Sequence, residues 1–134
     1  MSGFTGSAGT LVVTLEEAGL WTDGRYFIQA ARQLEGSGIT LYKMGEEGIP
    51  TIAEFLCDKL KENCTLGFDG RVINTKFGQN LMDKLGCKKI KVVYDKDLVA
   101  MIWTERPTLS SDTALYSGCS VLRSYYLGKG LFIY

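Results

Sequence analysis

Apolar and polar positions change period several times along the chain, and each change marks an element. Thr10 to Thr14 (Thr-Leu-Val-Val-Thr) is a β-branched apolar run of strand type. Glu16-Glu17-Ala18-Gly19 supplies a turn, and Leu20-Trp21-Thr22 predicts a second strand that pairs back as a hairpin. From Arg25 the period lengthens. Tyr26, Phe27, Ala30, Ala31 and Leu34 fall at helical spacing, with Gln29, Arg32 and Gln33 opposite. Asp23 is placed to cap this helix and Gly36 or Gly38 to stop it. Ile39 to Met44 alternates and predicts a third strand. Thr51 and Glu54 form a capping box before a helix that buries Ile52, Phe55, Leu56 and Leu60 and can end at Asn63. Thr65 to Phe68 is a short strand. Asn74 or Thr75 caps a helix carrying Phe77, Leu81, Met82 and Leu85, closed by Gly86. Lys89 to Tyr94 reads as a strand and Leu98 to Trp103 as an apolar helical turn, broken by Arg106-Pro107.

Helices and strands alternate with short connections, which predicts an α/β three-layer sandwich: a mostly parallel or mixed sheet flanked by helices. No internal repeat is read. A boundary falls near Pro107, dividing a domain (residues 1–107) from a tail of unclear origin (108–134). The tail is polar and small to Cys119, and from Val121 it is apolar and aromatic without amphipathic order.

Composition narrows the function classes. The chain has 134 residues, a one-domain length, with ordinary apolar and charged fractions. Fifteen basic residues balance fifteen acidic ones, so the basic excess of a nucleic-acid binder is missing. No run approaches the roughly 20 apolar residues of a membrane span. Met1 to Thr10 has neither the basic nor the apolar region of a signal peptide. The cysteines at 57, 64, 87 and 119 contain no C-x-x-C pair, which reads as reduced thiols in a cytoplasmic protein. Histidine is absent altogether. That removes Ser-His-Asp and Cys-His catalysis within one chain and leaves only thiolates or carboxylates as metal ligands.

The motifs that could carry chemistry are few. Gly3-x-x-Gly6-x-x-Gly9 precedes a strand, not the helix a phosphate cradle needs, and reads as a tight loop. Lys129 between two glycines lacks the rest of a P-loop. Asp69, Asp95, Asp97 and Glu105 are loop carboxylates that could hold a metal or catalyse hydrolysis only if they converge. Lys88, Lys89 and Lys91 read as the charged side of a strand. In Trp21-Thr22-Asp23-Gly24-Arg25-Tyr26-Phe27, Trp21 reads as core and Asp23 as a cap. Arg25 stands at a helix start, where the macrodipole disfavours a cation, and so implies a carboxylate or carbonyl partner.

Three blocks resemble one family. Ser2-Gly3-Phe4-Thr5-Gly6-Ser7-Ala8-Gly9-Thr10, then Leu20 to Ala30, then Leu98 to Pro107 are similar to the N-terminal (creatinase-N-like) domain of aminopeptidase P metallopeptidases, and they cover residues 2–107. The resemblance implies an α/β sandwich around a mixed sheet, lacking here the strand and helix that the family places ahead of Ser2. It implies a separate catalytic domain that holds two metal ions, often manganese, through two Asp, two Glu and one His, and releases the residue before proline. No such segment is present in this sequence, so no catalytic, metal-binding or cofactor-binding residue can be assigned. The expected role is subunit assembly and substrate access. Arg25 and Trp21 match the family motif and are the expected contact residues. The partners so implied are the metal-binding peptidase domain and a second copy of the chain, the latter through a sheet edge and apolar face left uncovered. The alternative is a stand-alone α/β binding or interaction module. The aromatic end of the chain reads as a truncated or out-of-frame ending.

Overall fold

The computed structural model of the chain describes residues 2–106 and 129–133. Its elements are β1 (Thr10–Val13), β2 (Ala18–Thr22), a 3-10 turn (Gly24–Tyr26), α1 (Phe27–Gln33), β3 (Ile39–Lys43), α2 (Ile52–Lys59), β4 (Thr65–Phe68), α3 (Thr75–Leu85), β5 (Lys91–Val93), α4 (Leu98–Ile102) and β6 (Lys129–Ile133). The strands form one mixed sheet in the order β3-β2-β1-β6-β4-β5.

The layers follow from the period-two alternation of strand side chains. Leu11 and Leu20 are register partners and point to one face, where they meet Ala30 and Leu34 of α1. Val12 and Trp21 point to the other face, where α2 and α3 bring Ile52, Phe55, Leu56, Leu81 and Leu85 against Leu66 and Phe68 of β4. Two cores on opposite faces make the predicted three-layer sandwich.

Topology explains why the helices divide this way. β2-α1-β3 and β4-α3-β5 are both parallel crossovers, but they step outward in opposite directions from the middle of the sheet. Parallel crossovers are almost always right-handed. Stepping in opposite directions therefore puts α1 on one face and α3 on the other. β2, β3, β4 and β5 run in the same direction, so their carboxyl ends share one edge of the sheet.

The local signals mostly hold. Asp23 Oδ1 accepts from the Arg25 N–H but caps the 3-10 turn that leads into α1, whose own N-cap Tyr26 makes no side-chain bond; Thr51 and Glu54 make both halves of a capping box, and Asn74 caps α3. Several details differ. Ala18 and Gly19 belong to β2, not the turn, because the Thr14 hydroxyl tightens the reversal by accepting from the Glu16 and Glu17 amides. Ala31 is exposed, and the polar side of α1 is partly covered: Gln29 and Gln33 hydrogen-bond the Thr5 hydroxyl of the N-terminal loop. α2 ends at Leu60, three residues before Asn63, which adopts a left-handed conformation. Gly86–Lys88 forms a 3-10 turn and Lys89 is left-handed, which shortens the strand read from Lys89 to Lys91–Val93.

β6 arises in the segment read as a tail. It lies parallel to β1 (Val12 opposite Leu131) and antiparallel to β4 (Phe68 opposite Leu131), and so joins the two halves of the sheet. The rest of that segment, 107–128 and residue 134, lies outside the described residues.

Candidate functional site

The shared carboxyl edge of β2, β3, β4 and β5 gathers most of the distinctive polar chemistry. In open α/β sheets this edge is where ligands settle, at the point where crossovers diverge to opposite faces.

Two turns on this edge have the same construction. Asp23-Gly24-Arg25 follows β2 and Asp69-Gly70-Arg71 follows β4. In each, the arginine folds back on the aspartate two residues earlier. Nε reaches Oδ1 at 2.9 Å, Nη2 reaches Oδ2 at 2.7 Å, and the arginine backbone N–H donates to Oδ1. The geometry needs glycine in the second turn, where a Cβ on Gly70 would stand 2.9 Å from the Tyr94 carbonyl. Such planar two-bond pairs are among the stronger ionic contacts. Each guanidinium holds its carboxyl below the usual aspartate range, and each arginine pKa is raised in turn by its aspartate. Each turn sits in a strand–turn–helix–strand unit, β2-α1-β3 and β4-α3-β5, whose residues outside Asp-Gly-Arg differ.

The two turns differ in their surroundings. Arg71 also reaches Asp97 at 3.3 Å, and Asp97 receives Arg106 at 2.9 Å. Asp69 and Asp95 face each other in an isolated bridge. Arg71 thus links the Asp69 and Asp97 carboxylates, while Asp95 meets Asp69 only through the backbone bridge. Among the described residues, no three of His, Cys, Asp or Glu are grouped to hold a metal ion. With histidine absent from the sequence, these residues do not fit the two-metal set that the resemblance implies. Arg25 has only Asp23 as ionic partner among the described residues. Its side chain is 69% exposed, and its guanidinium also covers the Tyr26 ring. Within the chain, a carboxylate partner for Arg25 is Asp23.

Trp21 is buried. Its indole stacks on Tyr42 at 4.0 Å, meets Phe55 edge-on, and donates Nε1–H to the Pro50 carbonyl at 2.9 Å. One edge of it forms the floor of a groove of about 460 Å³. Met44, Ile49, Pro50 and Ile52 line the groove from β3 to the start of α2, and Phe77 with Lys76, Asn80 and Lys84 lines it from α3. Sequence reading missed this site because its wall is assembled from four separate stretches. Lys76, Asn80 and Lys84, spaced by four on one helical face, were the only available signal. Cys57, Cys64 and Cys87 are free thiols. No helix among the described residues is long and apolar enough to cross a membrane.

Comparison with known proteins gives a consistent result. A sequence model of the family described as "Creatinase/Prolidase N-terminal domain" matches residues 1–102. Aminopeptidase P2 of Arabidopsis thaliana is 42% identical over 107 residues, covering 78% of this chain and 15% of the relative. A probable Xaa-Pro aminopeptidase P of Coprinopsis cinerea is 43% identical over 109 residues, covering 80% of this chain and 17% of the relative. The solved X-prolyl aminopeptidase of Caenorhabditis elegans, described as a cytosolic enzyme with a di-nuclear active site, superposes with a TM-score of 0.73 at 36% identity. That match covers 81% of this chain and 18% of the worm protein. The chain therefore spans less than a fifth of the length of each of these three relatives.

Proposed function

Because the chain belongs to the creatinase/prolidase N-terminal domain family, we propose that it is the non-catalytic first domain of an Xaa-Pro aminopeptidase. In this reading it serves subunit assembly and substrate access for a metal-dependent peptidase domain. The observation that carries the reading is the placement of the match: it falls on a first-domain family and on under a fifth of relatives named as aminopeptidases. The chemistry of the chain agrees. A peptidase that activates water on two metals needs several convergent ligands, and here Asp69 and Asp97 are paired with Arg71 and Arg106. A cytoplasmic site of action fits the free thiols and the cytosolic worm relative.

Within that role Arg25 is the residue placed to touch another surface, exposed at the carboxyl edge with its guanidinium pre-oriented by Asp23. Trp21 acts behind it, as the fixed floor of the neighbouring groove. A second copy of the chain is the other partner in this reading, expected to dock on a sheet edge or apolar face.

Two measurements test this. The purified chain, given manganese and an X-Pro tripeptide, is expected to show no turnover above buffer. Grafted in place of the first domain of the worm enzyme, it is expected to restore activity and assembly, with Arg25→Ala weakening assembly or raising KM. Turnover by the chain alone would overturn the proposal, as would a graft that behaves no differently from the worm enzyme stripped of its first domain.

A further inference from the structure

We propose that the groove beside Trp21 is a binding site for the C-terminal residue of a peptide, recognised by its free carboxylate and an apolar side chain. The inference goes beyond the aminopeptidase reading and rests on this chain's own residues.

The groove supplies each element of that recognition. Its floor and one wall are apolar and rigid: Trp21 is pinned between Tyr42, Phe55 and the Pro50 carbonyl, and Phe77 closes the α3 side. Its volume, about 460 Å³, falls in the range of small-ligand pockets. Its charge is of one sign. Lys76 and Lys84 stand on the rim, and no acid lines the groove among the described residues. Neither lysine has an ion-pair partner among the described residues. The first turns of α2 and α3 both open into the groove, so two positive helix ends add to the lysines.

The acid on α2 beside Lys84 is already engaged. Glu54 lies close enough to Lys84 to feel its charge, but its carboxylate accepts from the Thr51 amide at 2.9 Å to complete the capping box. Thr51 Oγ1 in turn takes the Glu54 N–H, which leaves the Ile52 and Ala53 amides as the α2 donors with no intrahelical acceptor.

The stripe along α3 favours a peptide over a simple fatty or aryl acid. Asn80 sits between the two lysines, one helical turn from each, and a carboxamide pairs with both the N–H and the C=O of a peptide bond. Asn74 uses Oδ1 to cap α3 and keeps its two N–H donors. A carboxylate in the combined field of the two lysines, an apolar side chain on Trp21 and Phe77, and a peptide bond at Asn80 together fill the groove.

The test uses the full chain and three probes: acetyl-Gly-Leu-Phe as free acid, the same peptide as C-terminal amide, and phenylpropionate. Binding is read from the indole N–H resonance of Trp21 and by calorimetry. The free acid is expected to bind and to shift that resonance. The amide should bind at least about tenfold more weakly, because it loses charge-assisted hydrogen bonds. Lys84→Met and Lys76→Met should each weaken the acid several-fold while leaving the amide unchanged; both residues are exposed, so the fold should survive. Lys84→Arg should retain binding. Equal affinity for acid and amide, or no effect of either lysine variant, would overturn the site. Phenylpropionate binding as tightly as the peptide would overturn the peptide assignment.

Discussion

Gly19 sits in the middle of β2, where glycine is ordinarily a liability, and replacing it tests how the groove floor is built. A Cβ at this position would stand 2.6 Å from Tyr42 Cε2 and 2.7 Å from Trp21 Cζ3, roughly 1 Å inside normal carbon–carbon contact. Neither ring can move aside easily. They stack on each other at 4.0 Å with 5° between planes, Phe55 abuts both, and the indole is tethered to Pro50. Overpacking of a core costs about 1–3 kcal/mol, and rings held from three sides favour the upper part of that range. Alanine recovers about 0.5–1 kcal/mol through its lower strand entropy cost. Gly19→Ala should therefore destabilise by about 2 kcal/mol. That would lower Tm by roughly 5–10 °C for a chain of this size. The decisive assay is a double-mutant cycle in urea, followed by far-ultraviolet circular dichroism because the indole environment itself changes. In a Tyr42→Ala background the vacated space should absorb the methyl group, making Gly19→Ala neutral or slightly stabilising, with a coupling of at least about 1 kcal/mol. An equal cost in both backgrounds would refute the steric account.

Thr51→Ala removes one half of the capping box and should cost about 1 kcal/mol in urea unfolding. Glu54→Ala in the Thr51→Ala background should then cost clearly less than it does alone, since the two residues act as a pair. Stability should also fall in acid. The Arg71 guanidinium holds Asp69 below its usual range, so its contribution is complete above the unfolded value of about 3.9 and is lost as pH falls through the lower folded value. Asp69→Asn should flatten the Tm-against-pH curve below about pH 4, and parallel curves for the two proteins would exclude Asp69 as a source of acid sensitivity.

How much of this was legible depended on whether the signal was local. Caps were legible because a cap is a contact between residues two or three apart: Asp23 with Arg25, Thr51 with Glu54, Asn74 with Lys76. Strands β1 to β4 were legible because β-branched and alternating apolar positions report burial directly. The membership of Ala18 and Gly19 in β2 was hidden, since an acidic stretch ending in glycine has the composition of a turn. What made it a strand was the Thr14 hydroxyl closing the reversal early, and the need for a residue without Cβ beneath the Trp21–Tyr42 stack. Ala31 was misplaced because helical periodicity identifies an apolar face but cannot say how wide it is. α1 buries only Ala30 among its own residues and leaves Ala31 to solvent.

The groove and β6 were hidden for a different reason, which they share. Both depend on where distant segments come to rest. The lysines of α3 have the composition of a solvated face, and only the docking of α2 and the β3 loop turns that face into one side of an apolar slot. β6 shows the limit of pattern reading more sharply. A strand on the rim of a sandwich can show a polar side, and its alternation gives it away. β6 lies between β1 and β4, and it is placed there by pairing with two strands far away in the sequence, which no local pattern reports. Gly130-Leu131-Phe132-Ile133 lacks amphipathic order. β1 and β6 share the middle of the six-strand order, but β1 announces itself by a β-branched run, whereas β6 is defined only by its long-range partners.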